Sequence, residues 1–462
     1  MKRKKFSFFI IILILNLYIF NYSIYANSIT TSSDNLLAIP DSVSSSDTLG
    51  LSAPAAVLID ENSGKVLYDK NANAKMYPAS TTKTMTAILT MEKCNLDSMV
   101  SVSYYAIHSV PATYSVADLQ PTESVSVKNL LYALMVGSAN DAAFVLAQYI
   151  ANGCTNNYPL DSNASSKSAF TDSIATFADL MNSKATELGC KNTHFVNPNG
   201  IHNNSHYSSA YDLALICKYA RTFDVLDTVV KTYSYSLPNS NVYTGETRNF
   251  TTTNLLLHTT RKGYYEYATG FKTGYTDNAK YCLIATATKD NVNLIAVVLH
   301  SESVTDVATS RETDCKKMFE YGFNNYSYKS LIDAGSTVTN INVFNATGET
   351  KSLNLVSQKQ LKALIKNGET TELSPQININ KLIAPIAKGT VVGTVTYNID
   401  GISYSSDLLA DHDVYAANYL FIVWALLIGF AVLLLIVTSC ELRKKRKKSK
   451  KRKSKHSKLI NF

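Results

Sequence analysis

Tyr419 to Cys440 is a run of 22 residues without a charge, and twelve of the residues from Arg443 to Lys458 that follow are Lys or Arg. At about 1.5 Å per residue, such a run is long enough to cross the roughly 30 Å hydrocarbon core of a bilayer. The sequence therefore predicts a transmembrane helix at 419–440 and a basic tail at 441–462 held on the cytoplasmic side. Tyr419 and Trp424 suit the outer interface. At the other end, Lys2-Arg3-Lys4-Lys5, the apolar run Phe6 to Phe20 and an expected cleavage after Ala26 read as a secretory signal peptide, 1–26. The chain between these segments is expected to fold outside the cytoplasm, with a single span holding it to the cell membrane.

That division changes the meaning of the charge. The chain carries a formal +8, but Lys2 to Lys5 contribute +4 and residues 441–462 a net +11, which leaves −7 for residues 6–440. An acidic exported region gives nucleic-acid binding no support, and the basic run reads as a topology signal near anionic lipid. Asn27 to Gly50, rich in Ser, Thr and Asp, reads as a linker.

Three short strings carry chemistry: Ser80-Thr81-Thr82-Lys83, Ser138-Ala139-Asn140 and Lys272-Thr273-Gly274. The segment from Thr84 to Met91 has Met85, Ile88 and Leu89 on one stripe and predicts a helix, with Ser80 in its first turn and Lys83 one turn on, along the same face. Unpaired backbone N–H groups at such a helix start favour negative charge developing on the serine oxygen. A serine hydroxyl becomes a nucleophile once a base takes its proton, and a lysine can do so only when neutral. Burial and a nearby cation would depress its pKa, and Lys272 is the candidate cation. Ser80 is the one serine in the chain with Lys three residues on.

Ser138-Ala139-Asn140 falls between two helical patterns, Val127 to Met135 and Asp141 to Leu146, and reads as a tight turn aiming a hydroxyl and a carboxamide into a cleft. Ser138 could relay a proton there and Asn140 could hold a substrate amide. Lys272-Thr273-Gly274-Tyr275 leads into two apolar strands, Tyr281 to Thr288 and Val292 to Leu299. On a strand beside the cleft, Lys272 and Thr273 can bind a carboxylate, and Gly274 permits close approach to the backbone. The backbone N–H groups of Ser80 and Tyr275 are the candidate oxyanion hole.

Taken with these strings, Pro78 to Lys93, Leu130 to Ile150, Phe195 to Ile201, His206 to Ala214 and Gly270 to Leu299 make the chain resemble D-alanyl-D-alanine carboxypeptidases, the low-molecular-mass penicillin-binding proteins. The likeness runs over roughly residues 52 to 410. It implies an α/β composition of the α+β type: a β-lactamase-like catalytic domain over 51–326, its antiparallel sheet flanked by helices. It also implies a small C-terminal all-β domain over 336–409 that stands the active site off the membrane. The implied substrate is the D-Ala-D-Ala end of the peptidoglycan stem peptide. By the same resemblance Ser80 attacks the penultimate carbonyl, Lys83 takes its proton, Ser138 passes it to the departing D-Ala, and Lys272 holds the terminal carboxylate. Water then frees the acyl-enzyme, β-lactam antibiotics acylate the same serine, and no metal or other cofactor takes part.

Two stretches depart from the family pattern: the polar residues 152–173, which read as a surface loop, and the Tyr-rich span Tyr233 to Tyr243. Six cysteines would be exported, an even number that permits disulfides, although Cys282 in an apolar run reads as core. His202 and His206 lack the company a metal site needs and are expected to be structural. A β-lactamase would need a base for the deacylating water, and no Glu-containing loop after Asn140 offers one. A catalytically silent wall-binding or sporulation scaffold is at odds with intact Ser80, Lys83, Ser138 and Lys272.

Overall fold

Strands that read as unbroken apolar runs, with no alternation, need cover on both faces. The computed structural model of the chain describes residues 48–244, 247–302, 310–369, 374–417 and 419–457, so the signal segment and the linker as far as residue 47 lie outside the described residues. In it, β1 (Ala55–Asp60), β2 (Val66–Lys70), β3 (Ala268–Thr276), β4 (Lys280–Lys289) and β5 (Val292–Ser301) form one antiparallel sheet in the order β2-β1-β5-β4-β3. Asp290 and Asn291, both at positive φ (50° and 63°), make the two-residue turn between β4 and β5. Such a turn matches the right-handed twist of the paired strands.

Side chains on the sheet sort by a period of two. Val57 and Ile59 of β1 and Ile295, Val297 and Leu299 of β5 belong to a core shared with helices. These helices are α1 (Lys83–Lys93), α2 (Val127–Met135), α3 (Asn140–Ala151), α4 (Ala164–Glu187), α5 (Ala210–Ala220) and α6 (Asp224–Lys231). The opposite face is covered by α7 (Ser310–Asn325). Gly322 lets α7 settle there, since a Cβ at this position would come within 2.5 Å of Leu294 Cδ1 and 3.1 Å of Leu58 Cδ2.

The polar stretch 152–173 is not all loop. From Ala164 it is the first half of α4, started by Asn163, whose side chain accepts from Ser166 N–H. Ser166, Phe170, Ser173, Phe177 and Met181 supply its buried stripe at helical spacing, and two of these are serines, which disguises the pattern. The Tyr-rich span is partly a ribbon of Ser234–Leu237 against Arg248–Thr251, with Tyr235 stacked on Tyr132 of α2 at 3.9 Å.

Cys94, which caps α1, is disulfide-bonded to Cys154, just beyond α3, while Cys217, Cys282 and Cys315 are buried thiols. The bond joins the far ends of two helices that both begin at the strings described above.

Residues 325–462 form a second unit. In it β6 (Tyr326–Ile332) pairs with β9 (Leu361–Lys366), and a five-stranded sheet runs β7-β8-β12-β11-β10 from β7 (Thr337–Asn342), β8 (Ser352–Ser357), β10 (Gln376–Ile379), β11 (Val391–Ile399) and β12 (Ile402–Ala410). Leu353, Leu355, Val395 and Leu408 are fully buried in its own core. Helix α8 (Leu420–Ser457) contains the apolar run, and none of its most apolar window is buried.

Replacing both Cys94 and Cys154 by Ala is expected to cost about 2–4 kcal/mol of stability through the lost loop constraint. Denaturant unfolding of the exported region, with and without reductant, checks this: the reductant should shift the wild type and leave the double variant where it was.

Candidate active site

Pro78-Ala79-Ser80 is wedged between two other backbones. A Cβ on Gly200 would stand 1.8 Å from Ala79 O, and one on Gly274 would stand 2.9 Å from Pro78 O and 3.0 Å from Ser80 N. The close approach that Gly274 allows is thus made by the protein's own chain. Held in this way, Ala79–Thr82 forms a 3₁₀ turn ahead of α1, and Ser80 lies in that turn and outside the first turn of the α-helix. Thr82 Oγ1 lies 2.8 Å from His206 Nε2. Because His206 Nδ1 accepts from the Val196 N–H, Nε2 carries the proton and donates to Thr82. Burial pushes the His206 pKa down to about 3, so the ring is a neutral strut.

Lys83 is fully buried, and its Nζ has three partners: Ser80 Oγ at 2.8 Å, Asn140 Oδ1 at 2.9 Å and the Asn199 carbonyl at 2.9 Å. Two of these oxygens can only accept, so they claim two N–H bonds, whereas the third belongs to a hydroxyl that can also donate. An ammonium would give one N–H to each of the three oxygens, whereas a neutral amine gives two to the carbonyl oxygens and turns its lone pair to the Ser80 hydroxyl, so the set accommodates both protonation states. Burial, reinforced by the charge of Lys272 and opposed by Asp141, holds the Lys83 pKa well below the usual lysine range.

Ser138 and Asn140 flank the start of α3, with Ser138 at φ 55°. Asn140 turns its oxygen to Lys83, and its Nδ2 donates to Ser115 O at 2.9 Å, so the carboxamide is engaged by the protein as well as bordering the cleft. Next to it, Asp141 accepts backbone N–H bonds from Ala117, Leu119 and Ala142. The same loop is held from outside by Arg248, which makes a buried bidentate pair with Glu123 and reaches the Asp118 carbonyl.

On β3, Lys272 Nζ donates to Ser138 Oγ at 2.9 Å and to Thr273 O at 3.1 Å. Burial, with Arg311 nearby, pushes its pKa down to about 7. Thr273 hydrogen-bonds Thr253 through their hydroxyls. Together Ser80, Ser138, Asn140, Thr273, Gly274 and Tyr275 border a cleft of about 430 Å³. All eight residues picked, seven from the three strings and Tyr275 next to the third, lie in or against this cleft, with Lys83 reaching it through Ser80 and Lys272 through Ser138.

The sequence reading passed over several contributors. Asn199 acts through its backbone carbonyl; the signal was the turn-forming Asn197-Pro198-Asn199-Gly200. Arg311, at the start of α7, lines the cleft and donates to Glu312 Oε1 and the Gly274 carbonyl; no local pattern marks it. His206 is structural, as expected, and it acts by holding Thr82 beside the Ser80 turn. Among the described residues no cluster of His, Cys, Asp and Glu could hold a metal ion.

Comparison with known proteins decides the family. Residues 42–159 and 160–303 match the model of D-alanyl-D-alanine carboxypeptidases of peptidase family S11, and residues 326–416 match the C-terminal domain of penicillin-binding protein 5. The chain belongs to the D-alanyl-D-alanine carboxypeptidase family. It is 32% identical to the D-alanyl-D-alanine carboxypeptidase DacF of Bacillus subtilis over 376 residues, which is 80% of this chain and 87% of that one. The crystal structure of penicillin-binding protein 5 from Haemophilus influenzae superposes with a TM-score of 0.59 at 28% identity, covering 79% of this chain and 98% of the other. The Streptomyces K15 DD-transpeptidase superposes at 0.50 with 34% identity, covering 59% and 98%. As a carboxypeptidase of this family the chain is a serine peptidase, a hydrolase of cell-wall peptides and a penicillin-binding protein. Its mixed fold, with antiparallel sheets and a C-terminal β domain, is the one the resemblance implied.

Gly200→Ala is expected to abolish penicillin labelling of the folded protein, because the added methyl meets the Ala79 carbonyl that shapes the Ser80 turn. Gly189→Ala is the control: its positive φ of 84° imposes similar backbone strain, yet nothing lies within 4 Å. It should label normally.

Proposed function

We propose that this carboxypeptidase removes the terminal D-Ala of peptidoglycan stem peptides through an acyl-enzyme on Ser80, with Lys83 as the general base. The observation that carries the reading is the partner set of Lys83: two acceptor-only oxygens and the Ser80 hydroxyl, around a buried amine with a depressed pKa. Ser80 Oγ attacks the penultimate D-Ala carbonyl as its proton moves to Lys83 Nζ. The oxyanion that forms is met by the backbone N–H groups of Ser80 and Tyr275. Collapse breaks the peptide C–N bond, and the proton that Lys83 took from Ser80 passes by way of the Ser138 hydroxyl to the departing amine, while Lys272 donates to Ser138 and keeps its charge. Lys272 and Thr273 hold the terminal carboxylate, and Asn140 keeps Lys83 in place. Water then hydrolyses the ester and regenerates Ser80. A β-lactam presents the same carbonyl and carboxylate and stops at the ester.

The likeness to the Streptomyces K15 DD-transpeptidase favours a second outcome on the same ester, in which an amine replaces water. Incubation with a pentapeptide and a D-amino acid separates the two by product mass.

Helix α8 is the membrane anchor in this reading, with the catalytic region outside and the basic tail in the cytoplasm. Protease added to protoplasts should remove the catalytic region and leave a tag on the tail intact.

Ser80→Ala is expected to lose both D-Ala release and labelling by a fluorescent penicillin. Lys83→Arg should lose acylation by at least about a hundredfold, since a guanidinium stays protonated and cannot serve as the base. Lys272→Arg should keep more activity, because it keeps a charge for the carboxylate. The pH profile follows with a definite sign. A lysine that must be neutral gives kcat/KM that falls as pH drops through its pKa, and a lysine that must be charged gives kcat/KM that falls as pH rises through its own. The descending limb, assigned to Lys272, should therefore move to higher pH in Lys272→Arg. If Lys83→Arg is the milder of the two changes, the base is another group.

A further inference from the structure

Strand β3 is the outer strand of its sheet, paired with β4 along one edge, and residues 273–276 at its end, with Asp277 of the turn beyond, line the cleft. An extended peptide laid against such a strand advances along it at about 3.3 Å per residue. On the reading proposed above, the substrate's terminal carboxylate lies at Lys272 and Thr273 and its scissile carbonyl at the Tyr275 N–H. The peptide thus runs back toward its own N-terminus as β3 runs forward. Asp277 stands two positions past Tyr275, in the turn just beyond the end of β3, where it lines the cleft and accepts from the Tyr275 hydroxyl. This brings it opposite the residue that precedes the penultimate D-Ala, the third of the stem.

Thr273 and Tyr275 share a face of β3, and Asp277 opens the turn that follows the strand; the Tyr275 hydroxyl donates to Asp277 Oδ1 at 3.1 Å, which holds the carboxylate beside that side chain. Asp277 is the one carboxylate among the described residues lining the cleft, whose cation there, Arg311, is already bonded to Glu312 and the Gly274 carbonyl. The Tyr275 ring is 47% exposed and tilted against Tyr281 at 4.7 Å. It offers an apolar face for an alkyl chain on the way to the carboxylate, and a ring face attracts a cation as well.

We propose that Asp277, with the Tyr275 ring beneath it, is a specificity determinant that selects stem peptides whose third residue ends in a free ammonium group. This rests on the peptide direction set by the carboxypeptidase reading. The contact sits at the rim, so it tunes binding and leaves the chemistry of Ser80 alone.

Two pentapeptides ending in D-Ala-D-Ala, alike except for a third-residue lysine that is free or Nε-acetylated, test it with the purified enzyme. The wild type should favour the free amine about two- to fivefold in kcat/KM, mainly through KM, as an exposed ion pair allows. The preference should shrink as salt is raised. Asp277→Asn should bring the ratio near one and Asp277→Glu should keep most of it, with penicillin labelling showing that both variants are folded. A wild-type ratio of one, or a ratio unchanged in Asp277→Asn, would overturn the assignment. Failure of the wild type to release D-Ala from either peptide would overturn the carboxypeptidase reading, and the Asp277 assignment with it.

Discussion

A lysine amine buried among carbonyl oxygens, without a carboxylate in contact, is the constraint around which the catalytic unit is arranged. Burying a charged ammonium is costly unless it is paired, and burial lowers the Lys83 pKa accordingly. The three oxygens around Lys83 Nζ come from three separate segments: the Ser80 turn, the start of α3 and the Asn199 loop. Each must be held independently. Asp141, one residue from Asn140, could have pinned Lys83 as a cation, but its oxygens are spent on backbone N–H groups of the loop at 117–119 and of Ala142. A charge next to the site thereby serves the architecture, its hydrogen bonds going to backbone N–H groups.

The glycines show how tightly the arrangement is packed. Gly200 and Gly274 press against opposite sides of the Pro78–Ser80 backbone, so the nucleophile's position is set by main chain on both sides. Side chains hop between rotamers, whereas main chain in a strand and in a bonded turn hardly moves. A catalytic oxygen located in this way needs little reorganisation when its proton leaves.

Much of this was legible in the sequence, and the parts that were not have a common cause. The strings from Ser80 to Lys83, at Ser138 and at Lys272 were readable because helical and strand periods place their side chains, and the apolar runs of β4 and β5 announced a sheet covered on both faces. Asn199 was missed because it works through its backbone carbonyl, which every residue has. Arg311 and the Glu123–Arg248 pair join positions far apart in the chain, and no local pattern carries that information. Helix α4 was half hidden because small polar residues fill part of its buried stripe, where composition spoke for a loop and the N-cap at Asn163 spoke for a helix.

The bond between Cys94 and Cys154 can be viewed as a gauge block. Helix α1 carries Lys83 at one end and Cys94 just past the other; α3 carries Asn140 at its start and ends just before Cys154. An α-helix is stiff along its axis, so a slip of one rod past the other by a single residue's rise, about 1.5 Å, would arrive undiminished at the opposite end. There it would disturb the 2.9 Å contact between Lys83 and Asn140. Fixing the remote ends therefore sets the spacing of two catalytic-site groups that the covalent link never touches.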